Sequence, residues 1–410
     1  MTRCIVFTLA LLLVGSLSDA SPTHAEGPAL QRLTRADGLS SNGVTALAPD
    51  GETLYIGTLA GLDQLRGAVV TRVDASLPDQ HVTALLSHRG VLWVGTGAGL
   101  ARRASGSAWE SWTGGEAGLT NAWITSVAPG GWVGTYGGGV LRFREQNPGG
   151  SAPRFAPIGR HGPAWVSALA TDGDEVWAGT TGEGLWHWDG TRWARFRVPG
   201  EVGAEAVTAL LVGARQHVWV GTRGGLWLFE PGQGWRPALI AQPVRALAYG
   251  SSGLLVAAGQ TLYLSATGDL PHSFSAEASW TQVAAGLHGV VSALEADADA
   301  TWLATLGGGL QRLGTPIEVH SARLPVVLVH GYSDAPRVYL SQFHFLARWL
   351  RQDGWPVFYA SGLSPEKPLL DNATALEQTI AAVRAQTGAE RVLLVAHSFG
   401  GLTARVYVGS

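Results

Sequence analysis

The sequence predicts a multidomain protein in which an all-β propeller of seven blades is followed by a shorter α/β segment. One apolar motif recurs seven times between residues 30 and 320, and the apolar period changes from two residues to a helical period near residue 323. The 410 residues include 56 glycines and 17 tryptophans without a collagen-like period. This composition is typical of many short strands joined by tight turns.

The first 25 residues have the layout of a secretory signal peptide. Arg3 precedes an apolar run from Ile5 to Val14, and small residues follow it. Cleavage could follow Thr23-His24-Ala25 or Ser18-Asp19-Ala20. A membrane anchor is the weaker interpretation, because a spanning helix needs roughly twenty apolar residues. We therefore predict a secreted or periplasmic bacterial protein with no membrane span after signal cleavage.

Composition limits the classes of partner. Apolar residues make up 46% of the chain and charged residues 14%, which favours a folded protein. The formal net charge of −3 gives no basic surface for nucleic acid or anionic lipid. The single cysteine, Cys4, lies inside the predicted signal peptide, so we expect no disulfide or thiol chemistry in the mature protein.

Each repeat contains an apolar strand, a turn, an aromatic-x-Gly-Thr segment and a Gly-Leu pair that begins another strand. The aromatic position is filled by Tyr55, Trp93, Trp132, Trp177, Trp219, Leu255 and Trp302. These residues are 36 to 47 positions apart, which is the period of four-stranded propeller blades. Because tryptophan recurs at one register, we predict that it packs between neighbouring blades rather than forming a carbohydrate platform.

The two ends of the repeat region complement each other. The seventh copy stops after Leu313 without a fourth strand, whereas "GPALQRLTRADGL" precedes the first copy. We predict a propeller over residues 29–319 in which residues 29–34 supply the missing strand. Closure of this kind removes open sheet edges.

The set "GLSSNGVTALAPDGETLYIGT" resembles the two-component regulator propeller repeats of periplasmic sensor regions in bacterial hybrid kinases. The resemblance covers all seven copies, and Ala257-Ala258 in place of Gly-Thr is the largest departure. It implies that the propeller senses an unknown ligand or protein, but it fixes no binding residues. No copy holds a metal-loop pattern or a cluster of His, Asp and Glu, so we expect neither a metal nor another cofactor.

Residues 323–410 alternate short apolar strands with helical segments. "PVVLVHG", "WPVFYA" and "RVLLVA" are the predicted strands, and amphipathic stretches lie between them. This alternation predicts a parallel sheet flanked by helices.

The third strand leads into Ala396-His397-Ser398-Phe399-Gly400, with Gly401 next. The pattern matches the G-x-S-x-G nucleophile elbow, with alanine in place of the first glycine. Such a turn needs small neighbours and presents the serine hydroxyl at the carboxyl edge of the sheet. We therefore predict that Ser398 is a nucleophile.

An oxyanion hole is predicted beside the elbow. The helix after Ser398 offers the backbone N–H of Phe399, and the turn His330-Gly331 places the N–H of Tyr332 nearby. These two groups would stabilise a tetrahedral intermediate. His330, Gly331, Ala396, His397, Gly400 and Gly401 support the two turns.

"PVVLVHGY" and "GAERVLLVAHSFGGLTARVY" resemble the α/β-hydrolase superfamily near its lipase and esterase branch, over residues 323–410 only. The resemblance implies an ester or lipid substrate, acyl transfer to Ser398 and hydrolysis of the acyl-enzyme by water. In this superfamily the triad acid and histidine follow the nucleophile. Residues 399–410 contain neither, and His330, His344 and His397 are poor candidates for the base.

The α/β-hydrolase is therefore incomplete in this sequence, and whether the chain is an enzyme is uncertain. We expect residues 1–410 to be inactive and to form the front part of a longer secreted esterase or lipase. The alternative is a propeller-based ligand- or protein-binding sensor with a vestigial hydrolase tail. The coding sequence after codon 410 distinguishes them, because a longer frame with a late histidine supports the first and a stop codon the second.

Overall fold

The computed structural model describes residues 30–73, 75–145, 154–200, 205–213, 217–265, 280–297, 299–317, 320–321, 324–331, 343–352, 355–387 and 389–409. The predicted signal peptide, residues 1–25, and Tyr332 lie outside the described residues. The described strands form seven antiparallel blades and one three-stranded parallel sheet.

The N-terminal strand is β1 (Leu30–Leu33). The first blade contains β2 (Val44–Asp50), β3 (Thr53–Thr58), β4 (Gly61–Arg66) and β5 (Val69–Arg72). The second contains β6 (Val82–His88), β7 (Val91–Thr96), β8 (Gly99–Ala104) and β9 (Glu110–Thr113). The third contains β10 (Ile124–Ala128), β11 (Trp132–Thr135), β12 (Gly139–Phe143) and β13 (Phe155–Pro157).

The fourth blade contains β14 (Val166–Asp172), β15 (Glu175–Thr180), β16 (Leu185–Trp188) and β17 (Trp193–Phe196). The fifth contains β18 (Val207–Val212), β19 (Val218–Thr222), β20 (Gly225–Glu230) and β21 (Gly234–Pro237). The sixth contains β22 (Val244–Gly250), β23 (Gly253–Ala258), β24 (Thr261–Ser265) and β25 (Trp280–Ala285). The last blade contains β26 (Val290–Ala296), β27 (Ala300–Leu306) and β28 (Gly309–Gly314), with β1 as its fourth strand.

The ring is closed by pairing between the two ends of the repeat region. β1 runs antiparallel to β28, with Leu30 opposite Leu313 and Leu33 opposite Leu310. The first strand of each blade contacts the first strands of both neighbouring blades, including β26 with β2. These first strands therefore surround the axis of a closed seven-bladed ring.

The Gly-Thr segment packs one blade against the next. A Cβ added to Gly221 would lie 2.6 Å from Cγ1 of Val244 in the following blade. The hydroxyl of Thr222 is buried and donates to the carbonyl of Gly225 at 2.9 Å, which holds the turn between two strands. The same hydroxyl bond is made by Thr58, Thr96, Thr135, Thr180 and Thr305.

Six of the seven side chains at the aromatic position are buried, as the sequence predicts, and Tyr55 is partly buried. Trp132, Trp177 and Trp219 are each at most 1% exposed. Trp177 packs against Val207 and Val218 of the next blade. Packing at a single register explains why tryptophan recurs there.

After the ring, residues His320–Ser321 form β29, which runs parallel to β5 as a fifth strand of the first blade. The Gln31 side chain in β1 donates to the carbonyl of Ile317 at 2.5 Å and accepts from its N–H at 2.9 Å. The chain therefore leaves the propeller beside the seam where the ring closes.

The C-terminal sheet has the order β31-β30-β32, with β30 (Val326–Val329), β31 (Val357–Tyr359) and β32 (Leu393–Ala396) all parallel. Its helices are α1 (His344–Gln352), α2 (Leu369–Thr387) and α3 (Phe399–Gly409). β30 is fully buried in the centre. None of the described helices combines the length and the apolarity that crossing a bilayer requires. Assignment of this unit to the α/β-hydrolase fold stays a prediction.

Candidate functional site

Ser398 lies in a tight turn between β32 and α3. Its φ is +53°, a conformation that is uncommon and costly for a residue with a side chain. The N–H of His397 donates to the carbonyl of Val329 at 3.0 Å. Beyond the turn, the N–H of Gly400 donates to His397 at 3.0 Å and that of Gly401 to Ser398 at 2.8 Å. These bonds hold the serine exposed at the carboxyl edge of the sheet.

The glycines near Ser398 have different reasons to be small. A Cβ on Gly400 would collide with the carbonyl oxygens of Val329 and His330. A Cβ on Gly331 would lie 2.9 Å from the Cβ of Ser398. A Cβ on Gly401 would meet no atom of the described residues within 4 Å, so sterics do not require glycine there.

The two predicted turns leave the same edge of the sheet, because Val329 at the end of β30 pairs with Ala396 at the end of β32. His330 is buried, and its Nδ1 lies 2.9 Å from the carbonyl of Gly331. Phe399 begins α3, so its N–H belongs to the positive end of a helix. Within the described residues, no hydrogen bond reaches the hydroxyl of Ser398. The roles of these residues in catalysis stay predictions.

The propeller presents a second site, at the end of its axis where the first strands begin. In five blades a threonine or serine hydroxyl donates to the first-strand carbonyl of the next blade at 2.6 to 2.7 Å. These bonds run from Thr45 to Val82, Thr83 to Ile124, Ser167 to Val207, Thr208 to Val244 and Ser292 to Val44. Arg245 takes this position in the sixth blade, so the repeated hydroxyl is replaced there by a cation.

A cavity of about 270 Å³ opens at this end of the axis. Arg223 and Arg245 line it together with Thr181, and the described lining residues include no carboxylate. Among the described residues, neither guanidinium has an ion-pair partner. Two such cations in one concave site favour an anionic ligand group.

Three exposed aromatic rings lie at the same end of the axis, although the described residues that line the cavity do not include them. Trp123, Tyr136 and Trp165 are 43 to 49% exposed, with ring centroids 5.8 Å apart for Trp123 and Tyr136 and 4.8 Å apart for Tyr136 and Trp165. The N–H of Thr181 donates to the carbonyl of Trp165 at 3.1 Å, which places the backbone of Trp165 beside the cavity wall. We call these three rings with Arg223 and Arg245 the mouth site.

The sequence interpretation missed the mouth site because it treated these residues as turn positions. The residues after Gly-Thr, or its equivalent, are Leu59, Gly97, Tyr136, Thr181, Arg223, Gly259 and Leu306. The motif on both sides repeats, whereas this position does not. That difference was the available signal, since side chains that only complete a turn have no reason to diverge while the turn itself is kept.

No protein-family model matches the chain, and no curated protein matches it. Solved structures do match. The extracellular domain of the one-component system BT4673 of B. thetaiotaomicron has a TM-score of 0.55 and 17% identity, over 71% of this chain and 40% of that one. The extracellular domain of the hybrid two-component system BT3049 of B. thetaiotaomicron has a TM-score of 0.54 and 18% identity, over 76% and 46%.

Virginiamycin B lyase from Staphylococcus aureus, solved with quinupristin, is similar with a TM-score of 0.55 and 11% identity, over 70% of this chain and 99% of that one. These likenesses confirm the propeller fold. The chain spans less than half the length of the two sensor domains. The resemblance of residues 323–410 to a hydrolase stays a prediction.

Proposed function

We propose that the propeller is a ligand-binding module that acts outside the cytoplasm and binds its ligand at the mouth site. The observation that carries the proposal is that three exposed aromatic rings occupy the same end of the axis as a cavity whose two guanidinium groups have no ion-pair partner among the described residues. The similarity to extracellular domains of signalling systems and the N-terminal sequence support this location. Flat rings suit sugar faces, and guanidinium groups pair with carboxylates. The proposed ligand is a carbohydrate that carries carboxylate groups.

Calorimetric titration with oligogalacturonate, whose sugar rings carry carboxylates, tests this proposal. We expect binding that weakens about tenfold or more in Arg245→Thr, because hydrogen bonds to charged groups contribute about 1.5–3 kcal/mol. Four other blades carry threonine at this position, so the variant should fold. Trp165→Ala should also weaken binding.

Two controls accompany the titration. The fully methyl-esterified oligosaccharide keeps the rings without the charges and should bind weakly. Arg192→Thr, at an exposed turn of the fourth blade, should leave binding unchanged. Failure of the wild type to bind oligogalacturonate, or equal affinity in Arg245→Thr, would contradict the proposal.

A second candidate function is acyl-ester hydrolysis at Ser398, favoured by the strained φ of this residue and by the close approach of Gly331. The Ser398 oxygen would attack the ester carbonyl while a general base, which the described residues do not supply, takes the hydroxyl proton. The N–H groups of Phe399 and Tyr332 would hold the oxyanion, and the base would return the proton to the departing alkoxide, so that the alcohol leaves. Water would then hydrolyse the acyl-enzyme and restore the hydroxyl.

Hydrolysis of p-nitrophenyl acetate and butyrate tests this candidate. We expect turnover to depend on Ser398, with kcat/KM lower by about 10³-fold or more in Ser398→Ala. The rate should be low for an esterase, because no hydrogen bond among the described residues reaches the Ser398 hydroxyl and a serine without a base is a weak nucleophile. Turnover that is equal in the wild type and in Ser398→Ala would leave only the binding proposal.

A further inference from the structure

A separate cavity lies at the far end of the blades, at the seam between the seventh and first blades. It has a volume of about 390 Å³ and is lined by the end of β26, the beginning of β27, the turn between β2 and β3, and Ile317. The seven residues of β26 separate it from the mouth site, a distance of roughly 20 Å. It is therefore distinct from the proposed carbohydrate site.

Arg312 lines this cavity and is only 6% exposed. Its guanidinium carbon lies 5.3 Å from the centroid of the Trp302 ring. Nε and Nη1 are buried, and neither has a hydrogen-bond acceptor within the part of the chain that the structure describes. A buried donor without an acceptor is costly, particularly when it is charged.

In the third blade, the arginine at the same position has hydrogen-bond partners. Arg142 pairs across the strands with Trp132, as Arg312 does with Trp302. However, Nε of Arg142 donates to the carbonyl of Gly130 at 3.2 Å, and its Nη2 pairs with Asp174 at 2.7 Å. Arg312 keeps the ring contact of this position but has no such partners among the described residues.

Carboxyl groups line the same cavity without pairing with Arg312. Asp297 is already engaged, since it accepts from the N–H groups of Asp299 and Ala300 and from the indole of Trp302. Glu52, Glu295 and the Asp299 carboxylate also line the cavity and make no side-chain hydrogen bond to described residues. A ligand that carried only negative charge would be attracted by Arg312 but repelled by these carboxyl groups.

We propose that this cavity binds a small zwitterion, a free α-amino acid with an apolar side chain. Its carboxylate would accept from one edge of the Arg312 guanidinium, in the two-pronged geometry that guanidinium groups favour. Its ammonium group would face the Asp299 carboxylate, and its side chain would pack against Leu54, Leu65 and Ile317. The volume lies within the range of small-molecule sites.

The site has a structural consequence, because its walls come from both sides of the ring seam. Ile317 is bonded to Gln31 in the closing strand. A ligand that binds only the closed ring stabilises it by mass action. Amino-acid binding should therefore raise the melting temperature of the propeller.

Calorimetry and thermal unfolding with L-leucine and two matched analogues test the proposal. 4-Methylpentanoate lacks the amine, and 3-methylbutylamine lacks the carboxylate. We expect leucine to bind, and each analogue to bind about tenfold more weakly or worse. Equal affinity for 4-methylpentanoate would overturn the zwitterion assignment. A failure of leucine, isoleucine, valine, methionine and phenylalanine all to bind would overturn it as well.

Variants separate a ligand role from a structural one. Arg312→Met should abolish leucine binding with an unchanged or higher melting temperature, because it removes an unpaired buried charge but keeps contact with Trp302. The matched control Arg142→Met should keep leucine binding and lower the melting temperature, because its guanidinium has partners. Unchanged leucine affinity in Arg312→Met would reduce Arg312 to a packing residue and overturn the proposal.

Two more variants test whether the loss of binding comes from misfolding and whether this cavity is independent of the mouth site. Arg312→Lys keeps the charge without the two-pronged geometry and should fold while binding leucine more weakly. Arg245→Thr should leave leucine binding unchanged. A loss of leucine binding in Arg245→Thr would contradict a separate site, whereas failure of oligogalacturonate binding alone would not affect the amino-acid proposal.

Discussion

At the scale of single residues, the spacing between blades depends on the residue at the first position of the Gly-Thr segment. Gly221 leaves room for Val244 of the next blade, and Gly57, Gly95, Gly134 and Gly179 face a valine or isoleucine in the same way. The sixth and seventh blades carry Ala257 and Ala304 instead. The contact is therefore tight at the five glycines, and two blades form with alanine at the same position.

Gly221→Ala should lower the free energy of unfolding by about 1–3 kcal/mol, because the added Cβ would lie 2.6 Å from Val244. Urea denaturation measures the change. In the double variant with Val244→Ala, the two effects should not add, since the smaller neighbour relieves the overlap. Strict additivity would show that the glycine has another role.

A second residue-scale prediction concerns pH. Burial raises the pKa of Glu295 from 4.5 to about 7. The folded state therefore favours the protonated form of Glu295. The contribution of this group to stability is complete below pH 4.5 and is lost as the pH rises to about 7. Glu295→Gln should raise the free energy of unfolding at pH 8 by on the order of 1–3 kcal/mol, and with it the melting temperature. At pH 4.5 the substitution should raise neither. Glu52→Gln, at the exposed rim of the same cavity, is the control for the loss of a carboxyl group there.

At the scale of elements, the ring depends on a strand that is distant in sequence from its partners. β1 has four residues and pairs only with β28, which lies at the other end of the propeller. Leu33 is buried in a core shared with Leu47 and Trp302. This one short element therefore completes the last blade and contributes to the packing of the seam.

Deletion of residues 1–34 should lower the melting temperature and promote aggregation, because β28 becomes an open edge and the seam loses Leu33. Thermal unfolding followed by light scattering measures both effects. Deletion of residues 1–29, which keeps β1, is the matched control and should behave like the wild type. Equal behaviour of the two deletions would show that β1 is dispensable for closure.

At the scale of the whole molecule, the propeller and the C-terminal unit have separate apolar cores. Seven core clusters contain only residues up to 317, and the other two contain only residues from 326 onwards. Neither core requires the other to bury its side chains.

A chain of residues 30–321 should therefore fold and show a propeller unfolding transition within a few degrees of that in the full chain, since a closed ring holds its own cores. Differential scanning calorimetry measures the transition. Loss of cooperative unfolding in the shorter chain would show that the C-terminal unit supports the ring.

The sequence by itself determined the parts of this protein that repeat locally. Seven copies of one motif specified the number of blades and the burial of Trp132, Trp177 and Trp219, because a strand packed on both faces needs the same side chains in each copy. The strand, turn and helix around Ser398 were likewise predictable, since neighbouring residues form them.

Tertiary structure alone decided which distant side chains meet. Trp165 approaches Tyr136, and Arg245 shares a cavity with Leu306, only after the blades are arranged around one axis. Arg312 and Glu52 meet at one cavity only after the ring has closed. Local periodicity fixes each strand and its faces, whereas the neighbours of a strand end depend on ring closure, which joins residues hundreds of positions apart.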